Sequence, residues 1–288
     1  MFRLSGLCSR FRNAQPYRSL AFLHGNDPGV VGLCYTAWVL WYLGYPDQTL
    51  KSLQEALTLT QELSHPHSLA FALNFTASLH QLRREEEVSR ERAAAVIALA
   101  TEQGFPHWLA RGTLLWGWTL AQGERKAEGI AQMRQGRAAW RATRTEIKGS
   151  YFLGLLAEAH DKVGQREEGL VVLDDALAVV DRTGERYYEA ELYRLQEELT
   201  LQRSSVEGLG SSVQKEAEEC FWQAIEIARR QSAKSLELRA VMSLSRLWQQ
   251  PSKKAEAHKM LAAIYNWFTE GFDTKDLQEA KALLAQLL

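Results

Sequence analysis

Three stretches of this sequence combine residue types that could do chemistry. His65-Pro66-His67 sets two imidazoles, which are common metal ligands, on either side of a proline. Gly208-Leu209-Gly210 has the spacing that begins a glycine-rich phosphate loop. Cys34 is a candidate redox thiol. Each stretch has a functional interpretation, in metal binding, phosphate binding or redox chemistry, to set against an ordinary structural one.

The structural interpretation is favoured in all three stretches. No third ligand follows the two histidines at metal-site spacing, so they indicate a turn between repeats. No strand pattern precedes the two glycines, and no basic residue stands beside Cys34 to activate its thiol. The sequence also lacks the GxxxxGK[ST] and HExxH motifs. We predict a protein that is not an enzyme and that holds no metal or cofactor.

Composition and charge exclude other classes of function. The 288 residues are 46% hydrophobic and 24% charged, which is typical of a soluble protein. The net charge is -1, so no overall field would attract nucleic acid or anionic lipid. The three cysteines show no CxxC spacing, which favours a reducing compartment. The most apolar run, Val30 to Leu43, is shorter than the roughly 20 residues that span a bilayer. We expect a cytoplasmic protein that binds neither nucleic acid nor membranes.

The elements that would position any binding residue are set by an internal repeat of 40 residues. Small residues recur at that spacing inside helical stretches, at Ala37, Ala77, Gly117 and Ala157. Two further sets keep the period, namely Thr49, Ser89, Gly129 and Gly169, then Ala56, Val96, Gly136 and Ala176. The second and third sets are two helical turns apart, so they share one face of the second helix in each pair. Small side chains there allow the two helices of a pair to approach closely.

Turn signals fall between the helices. Glycines that suit the left-handed end of a helix recur within the pairs, at Gly44, Gly123 and Gly164. Prolines that suit a first helical turn recur at Pro28, Pro66 and Pro106. Arg83-Arg84-Glu85 breaks the glycine pattern in the second pair. Period and turns together predict an all-α fold, a right-handed α-solenoid of antiparallel helix pairs of the tetratricopeptide-like kind.

The predicted solenoid covers residues 27–288, with about six helix pairs and a capping helix from Thr274 to Leu288. Residues 1–26 lack the apolar core of an export signal and are interpreted as a partly disordered leader. The period continues to Glu197, where an acid replaces the small residue, and slips by eight after RSSVEGLGSS, residues 203–212. That insertion predicts a flexible loop, and Glu197 predicts a frayed helix end or a loosened joint.

Three positions in each first helix are expected to face the concave groove of the solenoid, six and three residues before the small residue and one after it. Ten candidate binding residues occupy them: Trp38, Asn74, Ser78, Arg111, Trp118, Tyr151, Glu158, Glu191, Arg194 and Glu198. Mixed aromatic and charged groups suit a peptide or a neighbouring domain. Core packing of the aromatic residues, and a solvated face without a ligand, are the alternatives.

Several phrases carry a family resemblance: DPGVVGLCYTAWVLWYLGYPDQTL, GFPHWLARGTLLWGWTLAQGE, SYFLGLLAEAHDKVGQREEGL and TGERYYEAELYRLQEEL. They resemble the carboxy-terminal tetratricopeptide-like repeats of bacterial adenylate or guanylate cyclase and AAA-type signal-transducing ATPase fusion proteins, over roughly Tyr17 to Gln250. The family-like pattern has glycine where Arg144 and Glu197 stand. The cyclase aspartates and the ATPase phosphate loop are absent, so the resemblance implies the sensor or scaffold portion of a truncated or split gene.

We therefore predict a non-catalytic protein-interaction or regulatory scaffold of a bacterial signalling system, which binds a peptide, partner domain or effector in its groove. The resemblance implies an ATPase or cyclase domain as the protein partner. Two alternatives stay open: a helical repeat that senses a small-molecule effector, and a portion that completes a cyclase or ATPase enzyme in trans.

Overall fold

The computed structural model describes residues 25–144, 147–207, 211–250 and 253–288, and gives only the backbone for 203–207 and 211–213. Within these residues the chain forms thirteen helices and no strand. The helices are α1 (Pro28–Tyr42), α2 (Pro46–Leu63), α3 (Pro66–Leu82), α4 (Glu86–Gln103), α5 (Pro106–Gln122), α6 (Lys126–Ala142), α7 (Gly149–Lys162), α8 (Arg166–Thr183), α9 (Glu189–Glu207), α10 (Ser211–Arg230), α11 (Lys234–Leu247), α12 (Lys254–Tyr265) and α13 (Lys275–Gln286). The predicted leader lies outside the described residues, apart from Gly25 and Asn26.

The fold class is the predicted one, an all-α helical solenoid built from helix pairs. The chain divides into two compact units. The first comprises the described residues up to Trp41, Tyr45–Thr119 and Gln132–Thr143, and the second comprises Tyr42–Gly44, Leu120–Ala131 and Arg144–Leu288. A core in the second unit includes Phe221, Leu238, Trp248, Leu261 and Leu283.

The helices begin where the sequence predicts. Prolines occupy the first position of α1, α2, α3 and α5, where a backbone amide would have no helical acceptor. The Asp27 carboxylate accepts a hydrogen bond from the Val30 amide at 3.0 Å and so caps α1. In the same way, His65 Nδ1 accepts from the Ser68 amide at 3.3 Å at the start of α3.

The turn within the second pair needs no glycine. Gly44 and Gly164 end their helices with φ of +87° and +76°, and Arg84 takes the same left-handed conformation with φ of +62°. This conformation costs a residue with a side chain roughly 1–2 kcal/mol. Contacts of the neighbouring Arg83 stabilise the turn, because its guanidinium donates to the Pro46 carbonyl at 3.1 Å and to the Glu85 carboxylate at 2.8 Å.

The predicted close approach between the two helices of a pair is confirmed by direct contacts. Thr49 Oγ1 donates to the Ala37 carbonyl at 3.3 Å, and Ser89 Oγ donates to the Ala77 carbonyl at 3.0 Å. Gly169 holds the equivalent position later in the chain, where a Cβ atom would lie 3.3 Å from the Ala157 carbonyl oxygen and 2.5 Å from Leu199. The small residues are therefore required by the spacing of the helices.

The structure corrects two expectations about irregular positions. Helices α9 and α10 include residues 203–207 and 211–212, so most of the insertion predicted as a flexible loop is helical, and 208–210 lie outside the described residues. Glu197 is not at a frayed end, since α9 continues past it to Glu207 and the residue is buried. Arg144, like Arg84, takes a glycine-like φ of +56°.

Candidate functional site

The ten predicted binding residues fall in both units. The first unit contains Trp38, Asn74, Ser78, Arg111 and Trp118, and the second contains Tyr151, Glu158, Glu191, Arg194 and Glu198. Glu158, Arg194 and Glu198 are partly exposed and the other seven are buried. Some of them belong to two regions of different chemistry, and a role in binding stays a prediction for all ten.

Aromatic side chains dominate the region in the first unit. We define the aromatic cluster as Tyr35, Trp38, Phe71, Phe75 and Trp108. Phe71 stacks on Phe75 with ring centroids 4.6 Å apart and meets the edge of Trp108 at 5.6 Å. Tyr35 and Trp38 contact Phe75 edge to face at 5.2 and 5.6 Å. Tyr35 forms the exposed rim of the cluster, because 47% of its surface is accessible while the other four rings are buried.

The predicted residue Arg111 joins this cluster from α5. Its guanidinium carbon lies 5.3 Å from the centroid of the Trp108 ring, in the geometry of a cation–π contact. Arg111 is buried, with 4% of its surface accessible. Its charge is therefore held against an aromatic face. After burial, which has the larger effect, this charge also lowers the pKa of the neighbouring His107.

The two histidines of the His65-Pro66-His67 stretch form structural hydrogen bonds. Trp108 Nε1 donates to His67 Nε2 at 3.0 Å, so His67 carries its proton on Nδ1 and donates it to Asn26 Oδ1 at 2.9 Å. Burial lowers the pKa of His67 and thereby favours this neutral form. Within the described residues, no three His, Cys, Asp or Glu side chains converge as they would around a metal ion.

The predicted residue Asn74 carries a side-chain amide that forms no hydrogen bond within the described part of the chain. The residue is fully buried, and neither Oδ1 nor Nδ2 has a hydrogen-bond partner in the described part of the chain. Its main-chain carbonyl, by contrast, accepts from Ser78 Oγ at 2.9 Å. An amide buried in this way costs free energy unless another molecule completes its hydrogen bonds.

The region in the second unit is a network of paired charges. On α9, Arg194 donates to both carboxylate oxygens of Glu191, at 2.8 and 2.9 Å, and lies 2.6 Å from Glu198. On α11, Arg239 donates to Glu191 at 3.2 Å and to Asp276 of α13 at 2.8 Å. We call these five residues the charge network. Ser243 adds a hydrogen bond to Glu198 at 2.6 Å.

Electrostatics in the charge network favour the ionised forms. Burial by itself would raise the pKa of Glu191, but the guanidinium groups of Arg194 and Arg239 lower it to about 2. Burial likewise opposes the charge on Arg239, and Asp276 and Glu191 raise its pKa. The network therefore joins α9, α11 and α13 by charges that satisfy one another.

The remaining predicted residues lie outside the aromatic cluster and the charge network. Tyr151 packs against Tyr188 with ring centroids 5.2 Å apart. The pKa of Tyr188 is raised, first by burial and then by the nearby charges of Glu191 and Glu158. Trp118 is buried in the first unit. Sequence reasoning missed Tyr35 and Asp276 because neither occupies one of the three chosen positions of the repeat. It also missed Arg239, which lies at the first of those positions, six residues before Ser245, once the eight-residue slip is counted.

Comparison of the sequence with known proteins gives little information about its family. No family model matches the chain. An uncharacterized protein of Rhizobium meliloti (strain 1021) is 26% identical over 170 residues, 59% of this chain, and the chain spans only 16% of that protein's length.

Two solved structures are similar over most of the chain. A Rap protein complexed with competence and sporulation factor gives a TM-score of 0.62 at 9% identity, over 97% of this chain and 81% of its own. A signal transduction ATPase with numerous domains (STAND) and a tetratricopeptide repeat sensor, from Pyrococcus horikoshii, gives 0.50 at 13% identity, over 94% of this chain and 40% of its own. The chain therefore has a tetratricopeptide-like repeat fold. None of the helices in its described part is long and apolar enough to cross a bilayer.

Proposed function

We propose that this chain is a non-catalytic protein-interaction scaffold that binds a peptide, or an extended segment of a partner protein, at the aromatic cluster of its first unit. The observation that carries the proposal is the half-exposed Tyr35 at the rim of four buried rings. Aromatic residues and arginine contribute most to the affinity of protein interfaces when they surround a desolvated centre. Tyr35, Trp108 and Arg111 provide that combination.

The charge network of the second unit has the character of a structural element. Its carboxylates and guanidinium groups pair with one another across three helices, so binding a ligand there would break strong internal interactions. Binding a ligand at the aromatic cluster would not require ion pairs of this kind to be broken.

The fold neighbours support a role in regulation. One was solved in complex with competence and sporulation factor, and the other carries a tetratricopeptide repeat sensor on a signal-transduction ATPase. By analogy, we propose that this chain acts in a cytoplasmic bacterial signalling system. The sequence resemblance supports an ATPase or cyclase domain as the protein that provides or receives the bound segment.

Selection from a displayed library of random octapeptides tests the proposal. Peptides selected on the wild-type chain should bind Tyr35→Ala at least about 10-fold more weakly, because truncating an aromatic anchor removes a main source of affinity. Val171→Ala is the matched control, since Val171 is an exposed apolar residue on α8 with 64% of its surface accessible. Equal loss in both variants, or no selected peptide, would contradict the proposal.

A small-molecule effector is the competing function for the same fold. A ligand that binds only the native state raises the melting temperature. A metabolite that stabilises the wild-type chain and Tyr35→Ala equally, with no peptide selected, would favour the sensor function over the scaffold.

A further inference from the structure

We propose that one face of α1 is a docking site for an amphipathic helix of a partner protein, which packs there as the second helix of one pair packs on the first helix of the next. We define this open face as Gly32, Tyr35 and Val39, which share one side of α1 because they stand three and four residues apart. The inference goes beyond the proposed function, since only Tyr35 also belongs to the aromatic cluster.

The repeat shows that the open face is normally half of an interface. Gly32, Tyr35 and Val39 are exposed, whereas Phe75 and Leu79 of α3, one period after Tyr35 and Val39, are buried. The residues at these two positions of the later first helices are buried as well: Leu115, Thr119, Leu155, Ala159, Leu195 and Leu199. Among the first helices up to α9, only α1 leaves these positions exposed.

Two glycines at equivalent positions identify the missing contact. A Cβ atom on Gly112 of α5 would lie 3.0 Å from side-chain atoms of Val96 and of Ile97 on α4, the second helix of the preceding pair. A Cβ atom on Gly32, two periods earlier, would meet no atom within 4 Å. The open face therefore continues the interface between successive helix pairs, but no described helix precedes α1 to fill it.

The composition of α4 indicates the chemistry of the helix that fits. The side that α4 buries includes the small and β-branched residues Ala93, Val96 and Ala100 at helical spacing, while Arg90 and Glu91 are exposed to solvent. Because α1 contains no charged residue, its open face complements an apolar stripe of this kind. Docking of the apolar side of a helix on an apolar surface is a recurring mode of peptide recognition.

The sequence favours a partner protein as the source of this helix. Asn13 and Pro16 stand 40 residues before Leu53 and Ala56, two buried residues of the second helix α2. Proline lacks the amide donor that a helix interior requires, and asparagine replaces an apolar side chain with a polar one. The residues before α1 therefore do not repeat the pattern of a second helix.

Gly32→Gln tests the site, because docking would bury the glutamine amide between two helices without a hydrogen-bond partner. In the free chain this side chain would extend into open space, and glutamine favours a helix more than glycine does, so the melting temperature should not fall. Ala178→Gln is the matched control, since it adds the same side chain at an exposed position of α8.

The probe is a fluorescently labelled synthetic peptide with the sequence of α4, Glu86–Gln103, and fluorescence anisotropy measures its binding. The wild-type chain and Ala178→Gln should bind it with affinities within about twofold of each other, and Gly32→Gln should bind it at least about 10-fold more weakly. A second peptide with Val96→Asp and Ile97→Asp should bind none of the three chains, because docking would bury its carboxylates.

Equal affinity of Gly32→Gln and the wild-type chain for the α4 peptide would overturn the proposal. The absence of binding would also overturn it, and two further measurements would then identify the occupant. A wild-type dimer in sedimentation that Gly32→Gln dissociates would assign the open face to a second copy of this chain. Binding gained by a monomeric variant with Tyr17→Asp and Leu20→Asp would assign it to the residues before α1. The octapeptide selection tests the scaffold function separately, because Gly32 is not part of the aromatic cluster.

Discussion

Helices α3 and α9 carry different chemistry at equivalent positions of the repeat, three periods apart. Glu191, Arg194 and Glu198 of α9 correspond to Phe71, Asn74 and Ser78 of α3. On α9 the central arginine pairs with an acid on either side of it, at 2.8 and 2.6 Å. On α3 the central asparagine has a phenyl ring and a hydroxyl at those places, and its amide has no partner in the described part of the chain.

This difference shows that equivalent positions of the repeat can pair on one helix and lack such pairs, among the described residues, on another. The three positions are equivalent in the repeat, but only on α9 do their side chains pair with one another. Arg239 then extends the α9 pairs to α11 and α13, which fixes those helices together. On α3, the side-chain amide of Asn74 joins no such network among the described residues.

The largest expected effect comes from breaking the charge network. Arg239→Met should lower the free energy of unfolding by about 3–5 kcal/mol, because it leaves the carboxylates of Glu191 and Asp276 without one guanidinium partner in a buried setting. Urea denaturation followed by circular dichroism measures the loss.

Arg246→Met is the matched control for that variant. Arg246 and Glu279 also join α11 and α13, at 3.1 Å, but their side chains are 45% and 39% exposed. Removing an exposed pair should cost no more than about 1 kcal/mol. Similar losses in the two variants would show that the charge network is no more structural than a surface pair.

The next largest effect is a difference in pH dependence, because the two regions should lose stability at different pH values as the solution is acidified. Burial, then the charges of Arg111 and His67, lower the pKa of His107 from 6.5 to about 4, so the folded state binds fewer protons than the unfolded state between those values. Stability from the first unit is therefore lost as the pH falls below about 6.5. The pKa of Glu191, about 2, places the loss of its contribution lower, from about 4.5 downward.

Hydrogen exchange of proteolytic fragments, corrected for the intrinsic effect of pH, measures that difference. Between pH values of about 7 and 4.5, amides of α5 should lose protection before those of α9. His107→Gln should reduce the loss in α5, whereas His258→Gln on α12 should not. Simultaneous loss in both helices would mean that the two regions unfold as one.

Sequence reasoning predicted the fold well because its signals are local. Prolines, left-handed glycines and the 12-residue interval from Ala37 to Thr49 each report on neighbouring helices. The left-handed Arg84 was not predictable in this way, because the contacts that stabilise its turn come from the side chain of Arg83 to Pro46, in the preceding pair.

The candidate residues could be predicted only in part. The repeat placed Asn74 and Arg194 at equivalent positions, but it could not show which would be paired. The partners Arg239 and Asp276 both follow the eight-residue slip. Arg239 keeps the repeat position of Glu191 once the slip is added, whereas Asp276 lies in the capping helix, where the period does not identify its position. The exposure of Tyr35 depends on packing around α1, which no pattern within a single repeat contains.

The smallest expected effect tests the hydrogen bond from Trp108 to His67. Trp108→Phe and Trp118→Phe make the same truncation at two buried positions of α5, and only the first removes the donor 3.0 Å from His67 Nε2. Loss of this hydrogen bond should cost Trp108→Phe about 1 kcal/mol of stability beyond the packing lost with the smaller ring, as measured by urea denaturation. Because His67 also donates to Asn26, amides in the first turn of α1 should exchange faster in Trp108→Phe. Equal exchange in both variants would show that Asp27, whose amide donates to Ser68 Oγ at 2.8 Å, anchors the start of α1 without the histidine.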